Sequence, residues 1–152
     1  MFIRFVTTWV DPDSQEAAGL FMAAQRLEYW DGLPAPDRRE LRRLCRWFSD
    51  NLKTPTRLRR SRKPHRIDRA ISWFRESATT HLAAANELVT LLERNGIRIL
   101  TVRTSRPGYV VYEDDVQVVA EPFSDTIGVQ DPTKRSSRMK SSAFGRSLSE
   151  LK

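Results

Sequence analysis

The chain has 152 residues, 39% of them apolar, with 26 Lys+Arg against 19 Asp+Glu, a net charge of +7, one cysteine and two histidines. That is the length of one domain with one core, and it excludes an internal disulfide and any zinc set built on Cys45, His65 and His81. No apolar run approaches the ~18–20 residues of a membrane span, and the Met1-Phe2-Ile3-Arg4-Phe5-Val6 start lacks the parts of a signal peptide, so a cytoplasmic protein is expected.

Residues 2–10 predict a strand, with Ile3, Phe5 and Trp9 alternating among β-branched neighbours. Asp11-Pro12-Asp13 breaks it, and Asp13 with Glu16 resembles a capping box. A helix is expected from there to about Trp30, on the spacing of Ala17, Leu20, Phe21, Ala24 and Leu27. A Pro-rich turn leads to a second helix from Pro36 to about Leu52. Its apolar face is Leu41, Leu44, Cys45, Phe48 and Leu52. The two helices should pack as a hairpin.

Residues 53–66 have no apolar period, two prolines and mutually repelling cations, so they read as a loop. A short strand at 70–74 precedes the clearest helix, 77–95, with Leu82, Ala85, Leu88, Val89 and Leu92 on one face and Asn95-Gly96 as its stop. Strands follow at 97–104, 109–113 and 116–121, the last two flanking Asp114-Asp115. The expected class is α+β: a mixed sheet of about five strands, order β-α-α-β-α-β-β-β, helices mainly on one face. The 70–104 unit reads as a parallel crossover and the last three strands as a meander. Trp9, Trp30, Trp47 and Trp73 all occupy core-like positions. Residues 127–152, Ser-rich and basic, are expected to form a disordered tail to a domain of residues 1–126.

Charge is unevenly spread. Residues 1–52 carry a net −1, 53–66 a net +7, 67–121 a net −2 and 122–152 a net +3. A nearly neutral body with cations concentrated in one segment points to an anionic partner met at one place. Arg57, Arg59, Arg60, Arg62, Lys63 and Arg66 are the expected nucleic-acid contacts, with Arg42 and Arg46 added from the second helix. An acidic protein surface would satisfy the same cations, and a solvated, purely solubilising charge run is the bland alternative.

Other chemistry is thinner. Glu113-Asp114-Asp115 reads as turn chemistry before a metal site. Ser77 and His81 lie four apart on a helix and can approach as nucleophile and base, but a cap and a surface histidine explain them as well. Cys45 reads as a buried free thiol. The six glycines do not cluster into a phosphate loop, and no cofactor is expected. Arg103, Arg106, Tyr109, Tyr112, Glu113 and Glu121 on the C-terminal strands would suit a small ribonuclease toxin, or simply cross-strand pairing.

Met1 to Val6, the Ala70-Ile71-Ser72-Trp73-Phe74 strand and the run from Arg106-Pro107-Gly108-Tyr109-Val110-Val111-Tyr112-Glu113-Asp114 through Val118-Val119-Ala120-Glu121-Pro122-Phe123 resemble a family of small uncharacterised bacterial proteins. The resemblance spans about residues 1–126. It implies a bacterial source and supplies no catalytic residue. The expected function is non-catalytic binding of a polyanion, nucleic acid first, through 53–66. The alternatives are an accessory protein using its tail as a ligand for a protein partner, and the ribonuclease.

Overall fold

The computed structural model of the chain describes residues 1–10, 17–55, 70–123 and 125–126. The elements are β1 (Phe2–Val10), β2 (Ala17–Gly19), α1 (Leu20–Glu28), α2 (Ala35–Asn51), β3 (Ile71–Arg75), α3 (Thr79–Arg94), β4 (Ile99–Thr104), β5 (Tyr109–Glu113) and β6 (Gln117–Glu121). The class is α+β, as expected from the alternation of periods. The capping pair Asp13/Glu16, most of the basic segment and the tail lie outside the described residues.

Each helix buries the stripe its spacing dictates. Leu20, Ala24 and Leu27 of α1, Leu41, Leu44 and Phe48 of α2, and Ala85, Leu88 and Leu92 of α3 join Ile3, Phe5, Phe74 and Ile99 in one core. The helices therefore cover the Ile3 face of the sheet. Their ends are tied together by charge. Arg38 donates to the Glu28 and Trp30 carbonyls at 2.6 and 2.9 Å, satisfying the C-terminal end of α1. Asp37, in the first turn of α2, accepts from Arg94 at 2.7 Å and Asn95 at 3.1 Å at the end of α3. Gly96 then stops α3 with φ +87°.

β1 organises the sheet. One edge pairs with β4 from Phe2–Thr104 to Thr7–Ile99. The other edge takes β3 at Phe2–Arg75 and Ile3–Phe74, then β2 at Val6–Gly19 and Val10–Ala17. β3 continues to β6, and β6 to β5. Every pair is antiparallel. β3 and β4 do run parallel, as the crossover through α3 requires, but β1 lies between them. Direct pairing of 70–74 with 97–104 is thus replaced by a split crossover. The meander is also incomplete: β5 and β6 form the expected hairpin, while β4 lies against β1.

β2 replaces what reads as the first turns of a helix. Ala17 and Ala18 are good helix formers, yet both are buried and their ladder runs along β1. Gly19 is extended, with φ −77° and ψ 173°, and α1 starts after it. Burial in a sheet here overrides a propensity worth only tenths of a kcal/mol per residue. The tryptophans differ among themselves. Trp73 is 1% exposed, whereas Trp30 is 51% exposed in the turn after α1. Trp9 is half-buried under the Arg26 guanidinium, 4.2 Å from its ring. On the face away from the helices, Ile71, Trp73 and Val118 form a second cluster with Phe2 and Val102. No helix among the described residues is long and apolar enough to cross a membrane.

Candidate functional site

The apolar face of α2 is fixed by the core, so its remaining positions must face outward. Arg39, Arg42, Arg43 and Arg46 recur at i, i+3, i+4 and i+7, which is one side of a helix, and all four are exposed. With Trp47 and Asp50 they line a shallow depression of about 450 Å³.

The four arginines are not equivalent. Arg43 is held by Glu40 at 2.6 Å and by Glu87 of α3 at 2.8 Å. These carboxylates, Glu40 first, push its already high pKa further up. The same contact holds the Glu40 carboxyl below its ordinary range. Arg42 lies 3.8 Å from Glu28, a loose and exposed pair of small energetic weight. Arg39 and Arg46 make no ion pair with any described residue. Along the helix they stand about 10 Å apart.

The stripe runs toward the basic segment. α2 ends at Asn51, and the Lys53 carbonyl accepts from the buried Gln117 amide of β6 at 2.7 Å. The +7 segment therefore starts at a fixed point below the arginines. Of the sequence-derived contacts, Arg42 and Arg46 are brought together on this stripe. Arg57, Arg59, Arg60, Arg62, Lys63 and Arg66 lie outside the described residues.

The ribonuclease-like set does not assemble. Arg103 sits on β4, separated along the sheet from Tyr109 of β5 by β1, β3 and β6. Its pairing with Ile3 puts it on the helix-covered face, so Arg4, the next residue on β1, points the other way. The members are engaged locally instead. Arg103 pairs with Glu76 at 3.3 Å and Glu113 with Arg75 at 2.9 Å. Arg106 and Tyr109 both pack on Phe123, at 5.0 and 4.7 Å. Glu121 is 3% exposed and its Oε1 finds no hydrogen-bond partner among the described residues.

Ser77 and His81 do not meet as nucleophile and base. Ser77 precedes α3, and no side-chain bond caps that helix. His81 Nε2 lies 2.8 Å from the Asn51 carbonyl, with its ring against Trp47. Cys45 is half-buried, and burial, helped by the Glu28 charge, pushes its thiol up, away from the thiolate that reactivity needs. Among the described residues no three His, Cys, Asp or Glu side chains cluster as metal ligands.

Asp114 has a structural role. Its Oδ1 accepts from the Val116 and Gln117 N–H groups at 2.8 and 2.9 Å, and its Oδ2 from the Tyr112 hydroxyl at 2.8 Å. Burial pushes the carboxyl up, but the Val116, Gln117 and Tyr112 donors outweigh it and hold the pKa below the ordinary value. Asp114→Ala leaves the two N–H groups without their acceptor and is expected to cost about 1–2 kcal/mol in urea unfolding. Because the folded pKa is the lower one, this stabilisation is present above ~pH 4 and lost as pH falls through the folded value. The wild-type advantage over the variant should accordingly shrink in acid.

The other flank of α2 was not legible as a site. Cys45, Phe48, Ser49 and Leu52 line a separate, mostly apolar cavity of about 650 Å³ against α1 and β3. Comparison with protein-family models, curated proteins and solved structures gives no match.

Proposed function

We propose that this chain is a non-catalytic, cytoplasmic protein that binds a polyanion, nucleic acid first, along the outer face of α2 and the basic segment that follows it. The observation that carries the reading is the arginine stripe. Two of its guanidinium groups have no carboxylate among the described residues, and the stripe leads to a segment with seven cations and no acid. Such cations gain by releasing the counterions condensed on a phosphate chain, whatever its sequence. With no base-reading element recognised, the binding should be insensitive to base order.

The test is binding of the full chain to random-sequence RNA, to duplex DNA and to polyglutamate at two salt concentrations. The variant Arg39→Ser/Arg42→Ser/Arg46→Ser should weaken nucleic-acid binding and reduce the slope of log K against log salt by about 2 on single strands. Unchanged affinity and slope would remove α2 from the interface. Tighter binding to polyglutamate than to either nucleic acid would move the partner to an acidic protein surface.

A further inference from the structure

The turn between α1 and α2 leaves an aromatic pair in solvent. Tyr29 is 78% exposed and Trp30 51%, whereas the other three tryptophans are buried or half-buried. Neither ring belongs to a core cluster.

Trp30 is nonetheless held in place. A Cβ built on Gly32 would collide with Trp30 Cζ2 and lie 2.6 and 3.1 Å from its ring neighbours Cε2 and Cη2. Similar distances to three bonded atoms put Gly32 over the face of the ring, since an approach in the ring plane would single out one atom. The glycine thus seats one face of the indole, and the exposed half of the residue is the opposite face. The turn itself is fixed by backbone bonds. The Trp30 N–H donates to the Leu27 carbonyl at 3.1 Å, and the Trp30 carbonyl accepts from the Leu33 N–H at 3.3 Å and from Arg38 at 2.9 Å.

This turn stands at the head of the arginine stripe. Arg38, which holds the Trp30 carbonyl, directly precedes Arg39, and Arg42 one turn on lies 3.8 Å from Glu28. Glu28 and Asp31 flank the aromatic pair in sequence, so the turn is a poor seat for a phosphate. The uncharged face of a base meets no such repulsion. Trp47 lines the depression of the stripe, but its ring packs edge-to-face against Phe48 and His81.

We infer that the polyanion of this site is a single-stranded nucleic acid, whose phosphates follow Arg39, Arg42 and Arg46 while one base stacks on the open face of Trp30. The inference rests on polyanion binding by the stripe and adds the class of strand. Every base has a π-face, so the stack tolerates any sequence. In a duplex those faces are covered by neighbouring base pairs, and only an unpaired strand can offer one. A ring already seated on Gly32 loses little freedom when the base arrives.

Binding of the full-length chain to a single-stranded DNA oligonucleotide, to an abasic deoxyribose-phosphate strand of the same length and to duplex DNA separates the stack from the charge. Trp30→Ala should weaken binding to the base-bearing strand about tenfold, the loss of one base–aromatic stack. Its affinity for the abasic strand and the duplex should match that of the wild type. Its slope of log K against log salt should also be unchanged, because no cation is removed. Trp30→Tyr, which keeps a ring, should retain most of the wild-type affinity. Gly32→Ala, which pushes the ring off its seat, should weaken binding to the base-bearing strand alone. Equal affinity of wild type and Trp30→Ala for the base-bearing strand, or an equal loss on the abasic strand, would overturn the stack and leave polyanion binding standing. A wild type that binds none of the three at low salt would overturn polyanion binding and the stack with it.

Discussion

Trp73→Ala should destabilise the protein by about 4 kcal/mol, in the range of large-to-small substitutions at fully packed aromatic sites. Trp73 is 1% exposed and is the largest member of the cluster it forms with Ile71 and Val118. The change removes the largest side chain of that cluster from a face that the helices do not cover. A shift of the urea midpoint at unchanged m-value is the measurement. Two companions make the result specific. Trp73→Phe also deletes a buried N–H that finds no acceptor among the described residues, which offsets part of the lost packing, so it should cost less than half as much. Trp30→Ala, at a side chain 51% exposed, should cost under about 1 kcal/mol. Equal losses at Trp73 and Trp30 would mean that the second cluster contributes nothing.

Gly108→Ala should be the most damaging small substitution, at about 3 kcal/mol or more. Gly108 has φ +133°, and a Cβ there would lie 1.9 Å from the Glu121 carbonyl oxygen and 2.6 Å from its carbon. Both are backbone atoms at the end of β6, a strand buried along its whole length, so neither can move aside cheaply. The comparison is Gly96→Ala. Gly96 also has a positive φ, +87°, but beyond its chain neighbours no atom of the described residues lies within 4 Å of the added methyl. Only the left-handed backbone cost of about 1–2 kcal/mol applies there. The difference between the two variants isolates the steric approach of the β5–β6 hairpin. Similar values for both would show that the hairpin yields.

Much of this fold was legible because it is local. The helical stripe of Leu82, Ala85, Leu88 and Leu92, the Asn95-Gly96 stop and the Asp114 turn are written over a few residues each. Asp114 bonding the N–H groups of Val116 and Gln117 is ordinary turn chemistry, and the structure has it. What was not legible depends on partners distant in sequence. Ala17-Ala18-Gly19 is a strand only because β1 offers an edge at Val6 and Val10. Whether β3 and β4 pair directly or across β1 depends on which edges are free, and both strands carry the same apolar pattern in either case.

The candidate sites divide the same way. Four arginines at helical spacing on a helix whose opposite face is apolar must lie on one exposed side, so the stripe followed from periodicity. The unequal pairing of its members with carboxylates did not, because Glu87 comes from α3 and Glu28 from α1. Arg103 and Tyr109 read as members of adjacent strands of a meander until β4 paired with β1. The cavity left no sequence signal, since it exists where a ladder stops. Trp30 reads as core by residue type, and only the Gly32 contact shows which of its faces is left open.

The most direct measurement of polyanion binding is the salt dependence of full-length affinity for random-sequence RNA. It should be made beside a variant with Arg57, Arg59, Arg60, Arg62 and Lys63 changed to serine. The wild type should bind at low salt with a slope of log K against log salt of about −4 or steeper. The variant should lose about 3–4 units of that slope, five cations each releasing ~0.7 counterion from a single strand. No binding at low salt, or the same slope with and without those five cations, would contradict the reading of the basic segment as the interface.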